Sequence, residues 1–298
     1  MQTQETVKSS LQLPPDATVI ADGIGFTEGP AKIDDHAVAV TSINRGHIYR
    51  VPLDGSGPTL LCETGGGPNG IALSKDGDLW ITQNGGTAMP SRSTMKTAPS
   101  LQRWTKGELS VELTGTVTAP SDCVFGPDGR LWFTDTAEHA VGEVKPGRLH
   151  AYDPVTHKLE TQMGGLMFPN GLAFDSTHDK LYVAETATDT VRRYDVPLGG
   201  GCTADGWAVT LRRGRPDGMA VDTAGWLWIA GSSGDNVIAV DDNGNLRHEL
   251  LFGTGVLVTS VCFAGAELDR LIVTVAKGGT VISLPAVHPG LPLPVTTL

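Results

Sequence analysis

The sequence predicts an all-β protein, a six-bladed β-propeller whose N-terminal strand closes the last blade. Three observations lead there: a phrase that recurs along the chain, the spacing of its copies, and the lack of any sustained 3.6-residue apolar period that would signal helices. The phrase is Pro, a small polar residue and Gly or Asp, then an apolar run, a turn and a second apolar run. It reads PNGIALSKDGDLWITQN from Pro68, PSDCVFGPDGRLWFTD from Pro120, PNGLAFDSTHDKLYVAE from Pro169 and PDGMAVDTAGWLWIAG from Pro216. Looser copies are TEGPAKIDDHAVAVT from Thr27 and VTSVCFAGAELDRLIVTV from Val258. The polar residue at the head of each copy defines a column, Glu28, Asn69, Ser121, Asn170, Asp217 and Thr259, with steps of 41, 52, 49, 47 and 42 residues. A period in the forties with paired strands in each unit is how propeller blades read.

Each unit resolves into strands in order. The first apolar run starts at the column residue, and a turn such as Lys75-Asp76-Gly77 or Pro127-Asp128-Gly129 returns the chain. Second strands are Leu79–Thr82, Leu131–Thr134, Leu181–Ala184 and Leu227–Ala230. Third strands are His47–Val51, Ser100–Thr105, Arg148–Tyr152, Thr190–Val196, Asn236–Asp241 and Thr280–Leu284. Outer strands are less regular and include Thr59–Cys62, Leu109–Leu113, Ala208–Leu211 and Leu246–Leu251. The last unit has three strands before a Pro-rich tail that cannot continue a ladder. The run Ala17–Ala21 has no unit of its own, so it is expected to complete the last blade and remove an exposed sheet edge. Residues 1–298 then form a single domain, with 1–16 as a flexible extension.

Composition agrees. The 38 Gly and 19 Pro suit many tight turns. A net charge of −11 without a basic stripe argues against nucleic acid. No apolar stretch approaches the roughly 20 residues of a membrane span, and MQTQETVKSSLQLPPDATV lacks an apolar signal core, so the expected compartment is the cytoplasm. Cys62, Cys123, Cys202 and Cys262 lack metal-like spacing and read as reduced, packed thiols. Trp80, Trp132 and Trp228 share one second-strand position and read as packing between blades. Oligomeric state is not encoded in any readable feature.

Radial repetition carries the whole column to one mouth of a central channel. Its members offer two carboxylates (Glu28, Asp217), two amides (Asn69, Asn170) and two hydroxyls (Ser121, Thr259), all oxygen donors. That set suits a hard cation, Ca²⁺ first and Mg²⁺ or Mn²⁺ after it; zinc usually recruits His or thiolate. Pro-Asn-Gly and Pro-Asp-Gly are also ordinary turn signals, but Glu is a poor turn residue and Glu28 has no local reason to stand there. Glu28, Asn170 and Asp217 are therefore the expected metal ligands. Asn69 and Ser121 are expected to complete the shell or contact substrate. Gln83, Asp135 and Glu185, at second-strand ends on the same face, are either substrate contacts or solvated strand ends. The insertion 84–99, NGGTAMPSRSTMKTAP, lies on that face as a lid or a surface loop, and offers Arg92 and Lys96 as contacts. No Gly-x-Ser-x-Gly elbow or Ser/His/Asp set exists, so a serine nucleophile is not expected.

FTEGP (Phe26–Pro30), FPNGLAFD (Phe168–Asp175) and RPDGMAVD (Arg215–Asp222) make the chain resemble the SMP-30/gluconolactonase/LRE family of metal-dependent six-bladed propellers along nearly its whole length. The resemblance implies that Glu28, Asn170 and Asp217 bind one divalent cation. It implies hydrolysis of a small-molecule lactone, with Asp217 as the base that activates water and the cation polarising the carbonyl. Related members act on organophosphates, and a non-catalytic scaffold tied together by its cation is a further alternative. One departure narrows the substrate: sugar-lactonase members carry Arg-x-Asn-Asp in the third unit, and here the segment is Ala119-Pro120-Ser121-Asp122. Asp122 is kept as a substrate-side residue, whereas Ala119 removes the guanidinium fork that would grip sugar hydroxyls or a carboxylate.

Overall fold

The computed structural model describes residues 9–137, 144–197 and 201–292. These form six antiparallel four-stranded sheets in a ring. Blade one is Thr27–Asp34, Ala37–Ser42, His47–Pro52 and Thr59–Glu63; blade two is Pro68–Leu73, Leu79–Gln83, Ser100–Thr105 and Glu108–Thr114. Blade three is Pro120–Phe125, Leu131–Asp135, Pro146–Asp153 and Lys158–Met167; blade four is Pro169–Phe174, Lys180–Glu185, Thr190–Asp195 and Thr203–Thr210. Blade five is Pro216–Val221, Leu227–Gly231, Asn236–Val240 and Leu246–Leu251. Blade six takes Val258–Ala264, Arg270–Val275 and Thr280–Pro285 from the C-terminal part of the chain and Thr18–Ala21 from the N-terminal part. The closure expected of the Ala17–Ala21 run is thus present, in the register Thr18 to Ser283 and Val19 to Ile282.

Two features differ from the sequence expectation. Part of the supposed extension is paired: Ser10 and Leu11 lie antiparallel to Thr254 and Gly253, while residues 1–8 fall outside the described residues. The outer strand of blade three, Lys158–Met167, was not foreseen, and that of blade four starts at Thr203 rather than Ala208. Outer strands pack on few neighbours and alternate between exposed and half-buried, as TADGWAVT does, so their apolar signal is thin.

The core is divided among the blade interfaces. Ala31, Ile48 and Cys62 of blade one meet Ile71 and Ile81 of blade two in one cluster, and five further clusters fill the remaining interfaces. The second-strand tryptophans do pack between blades. Trp80 meets Phe125, Trp132 meets Phe174 and Trp228 meets Phe263, each edge to face with ring centroids 6.3, 5.8 and 6.4 Å apart. Such pairs add about 0.5–1.5 kcal/mol beyond the area they bury. Each Trp therefore keys its blade onto the inner strand of the next.

The inner strands form the wall of the channel, and the column residues stand at their starts. The glycine after a column residue marks a close approach of backbones. A Cβ on Gly29, at φ +44°, would lie 2.1 Å from the carbonyl oxygen of Asn69, and one on Gly171 would lie 2.1 Å from that of Asp217. Neighbouring column backbones are thereby brought into direct contact around the mouth. Among the described residues no helix is long and apolar enough to cross a membrane.

Candidate functional site

Threonines of the second strands fix the column from behind. Thr41 Oγ1 donates to the Asn69 carbonyl and Thr134 Oγ1 to the Asn170 carbonyl, both at 2.8 Å, and Thr82 Oγ1 donates to the Ser121 carbonyl. Each bond runs from one blade to the column residue of the next. In blade six the column residue itself makes the cross-blade bond, Thr259 Oγ1 donating to the Thr27 carbonyl beside Glu28 at 2.8 Å. Thr259 therefore serves the framework. The sequence offered a signal for the other staples, since Thr41, Thr82 and Thr134 occupy one strand position, but Thr in a strand reads first as β-propensity.

With their backbones held, four column side chains join in one hydrogen-bonded row. Asn69 Nδ2 donates to Ser121 Oγ at 3.1 Å and Ser121 Oγ donates to Asn170 Oδ1 at 2.9 Å. Asn170 Nδ2 donates to Asp217 Oδ1 at 2.6 Å. Glu28 stands outside the row, its Oε2 accepting from the Gly29 N–H at 3.2 Å. In blade three the glycine position is taken by Asp122, which adds a third carboxylate. All six residues are buried.

Burial perturbs all three carboxyls, and for two of them the neighbouring acids add to it. Burial, then the charges of Asp217 and Asp122, push the Glu28 carboxyl well above its ordinary range. Burial and Asp122 push Asp217 up as well, against the hydrogen bonds it accepts from Asn170 and the Gly218 N–H. Burial raises Asp122 to about 6. Among the described residues none of the ion pairs involves these three carboxylates. Asn69 Oδ1 is buried without a hydrogen-bond partner. No three His, Cys, Asp or Glu side chains among the described residues make a metal cage by themselves, so any cation here would also need amide oxygen and water or substrate. Buried acids lacking a protein counter-charge beside a free amide oxygen suit a hard divalent cation of that kind.

The other expected contacts lie elsewhere. Gln83 is engaged on both ends of its amide: Oε1 accepts from the N–H groups of Gly67 and Gly85 at 2.5 and 2.9 Å, and Nε2 donates to the Gly65 carbonyl at 3.0 Å. Glu185 accepts from the Met167 N–H at 2.7 Å and from Arg192 Nε at 2.8 Å. Asp135 accepts from the N–H groups of Thr118 and Ala119 at 2.9 and 2.6 Å. These three are neither solvated strand ends nor joined to the row; each clamps the backbone leading into its own inner strand. The 84–99 segment folds back over blades one and two, with the Arg92 N–H on the Asn44 carbonyl at 2.7 Å and Ser91 Oγ on the Gly66 carbonyl at 2.5 Å. The Arg92 side chain is exposed and takes no part in the row.

Residues 26–277 match the family described as SMP-30/Gluconolactonase/LRE-like region. Pentonolactonase XacC from Haloferax volcanii is 32% identical over 172 residues, covering 57% of each chain. The chain thus spans little more than half the length of that relative. Gluconolactonase from Zymomonas mobilis is 24% identical over 259 residues, 75% of this chain and 69% of its own. The crystal structure of regucalcin from Agrobacterium tumefaciens superposes with a TM-score of 0.75 at 19% identity, over 92% of this chain and 94% of that one, which shows a shared fold.

Proposed function

The chain belongs to the SMP-30/gluconolactonase/LRE-like family, and on that footing we propose that it is a hydrolase that opens a small-molecule lactone at the column mouth. The observation that carries the reading is the buried row Asn69–Ser121–Asn170–Asp217, faced by Glu28 and Asp122 without a protein cation. Glu28, Asn170 and Asp217 would hold one divalent cation, calcium before magnesium, manganese or zinc because every donor is an oxygen. When bound, that cation supplies Lewis acidity toward the lactone carbonyl and charge to balance the developing oxyanion.

The chain's own part is placement and proton transfer. Asp217 is the proposed base: it takes a proton as water oxygen bonds to the carbonyl carbon, and returns it to the ring oxygen as the acyl C–O bond breaks, leaving a hydroxy acid. Asn170, hydrogen-bonded to Asp217, fixes which carboxylate oxygen is engaged. Ser121 fixes the Asn170 amide, and Asn69 fixes Ser121. Ala119 is buried and its N–H is spent on Asp135, so this wall offers no cation to a polar substrate. The proposed substrate is therefore a lactone with few hydroxyls or charges. A pH-stat assay on a lactone panel, run after chelation and again with each divalent cation restored, tests the reading. Metal-restored ring opening is the expected result, and a panel with no turnover under any cation would overturn it.

A further inference from the structure

The channel has a second chemistry at its other end. A cavity of about 610 Å³ runs beneath the column and opens on the opposite face, where the turns joining first and second strands lie. Its volume falls within the roughly 300–1,000 Å³ of small-molecule sites. All six inner strands contribute to its wall. The residues two and four places after the column give two apolar tiers, typified by Leu172 and Phe174 in blade four and by Val261 and Phe263 in blade six. Charge is confined to the ends. Asp122 sits at the roof, and Lys32, Lys75, Asp76 and His178 stand toward the mouth, with Lys32 already paired to Asp35 at 2.9 Å.

We propose that this lower channel is a second binding site, separate from the column, for a neutral, largely hydrocarbon small molecule. Apolar tiers reward burial of hydrocarbon at about 25 cal/mol per Å². An anionic ligand would meet Asp122 at the roof, and a charged group of either sign lodged between the tiers would leave water for side chains without counter-charge. Leu291 and Pro292 border the mouth, held by the Leu291 N–H on the Val221 carbonyl at 3.0 Å, so access is past the tail. The proposal does not rest on the hydrolase reading.

Two thiols in the wall give the test a chemical handle, since Cys123 and Cys262 are both partly accessible. The probe is N-phenyl-1-naphthylamine, neutral and fluorescent in apolar surroundings, titrated into the full chain. Saturable one-to-one binding with Kd below about 100 µM is expected. Cys262→Phe, which adds a ring to the wall between the two tiers, should weaken it at least about tenfold, a loss near 1.4 kcal/mol, while Asp217→Asn should leave it unchanged. In the wild-type chain, bound probe should also slow modification of Cys262 by methyl methanethiolsulfonate, read by mass spectrometry, so the result stands even if Cys262→Phe fails to fold. Absence of saturable binding, or binding that leaves Cys262 modification unprotected, overturns the proposal. So does binding that emerges only in a chain ending at residue 292, because the channel of the full chain would then be closed to the probe.

Discussion

Asn170 donates its Nδ2–H to Asp217 Oδ1 over 2.6 Å, and so ties blade four to blade five across the channel mouth. A hydrogen bond to a charged acceptor is worth roughly 1.5–3 kcal/mol, and this one favours the ionised form, against the upward push of burial and Asp122 on the Asp217 carboxyl. The same amide accepts from Ser121, so the orientation of the proposed base is set three blades back, at Asn69.

Asp217→Asn separates chemistry from fold. Turnover on any lactone the wild type opens should fall by about 10²–10⁴, the usual contribution of a general base. The cation-free variant should melt at or above the wild-type temperature, because one of three mutually repelling buried carboxylates is gone. Paired kinetics and calorimetry check both halves; a variant that keeps wild-type rates removes Asp217 from the mechanism.

Stability of the cation-free protein should fall as pH rises from the ordinary carboxylate range to beyond 6. Glu28, Asp122 and Asp217 all have folded-state values above their unfolded ones. Below the unfolded values both states are protonated and nothing is lost; above them, folding requires proton uptake that becomes steadily less favourable. Asp122 alone, carried from 3.8 to about 6, accounts for roughly 3 kcal/mol at about 1.4 kcal/mol per unit. Melting temperature against pH should flatten in Glu28→Gln and in Asp122→Asn. A divalent cation at pH 8 should recover part of the lost stability, since a ligand at 100 times its Kd contributes about 2.7 kcal/mol.

Ser121→Ala should cost about 1–3 kcal/mol, because the Asn69 amide loses its acceptor inside a buried site. Cation affinity, measured by isothermal titration calorimetry, should fall with it as the Asn170 amide loses the hydroxyl that orients it. Unchanged affinity would show that Asn170 needs no support from blade three.

Trp132→Ala should destabilise by about 3–5 kcal/mol, in the range of large aromatic deletions. Trp132 is fully buried, stands edge to face on Phe174 and donates from Nε1 to Asp128 at 3.2 Å. Urea unfolding should give a lower midpoint with an unchanged slope. A lowered slope would mean instead that blades three and four no longer unfold together.

Inner strands and column were legible because apolar runs and Pro-Gly punctuation recur at one spacing. Glu28 stood out because Glu is out of place in a turn, and it does lie buried at the mouth near Asp122 and Asp217. Gln83 and Glu185 were not legible: a polar side chain at a strand end is defined by which backbone N–H stands opposite, and that is decided by a loop elsewhere in the chain. The glycine of each Pro-Asn-Gly could be read as a turn, yet at Gly171 the cause is the carbonyl of Asp217 on the next blade. Spacing says which residues share a ring, but not which of them touch.

The closing strand has a consequence for synthesis. Thr18–Ala21 leaves the ribosome early, but its partner Thr280–Pro285 is made some 260 residues later. At about 5–20 residues per second that delay is roughly 13–50 s. For that interval the strand Ile20 belongs to has no ladder to join, and Thr27 lacks the bond from Thr259, 232 residues away. Blades two to five can each fold as they emerge, whereas the mouth of the channel can be completed only in the last step. A nascent chain stalled before residue 280 should therefore hold most of the propeller and the row from Asn69 to Asp217, with blade six still short of its closing strand pair.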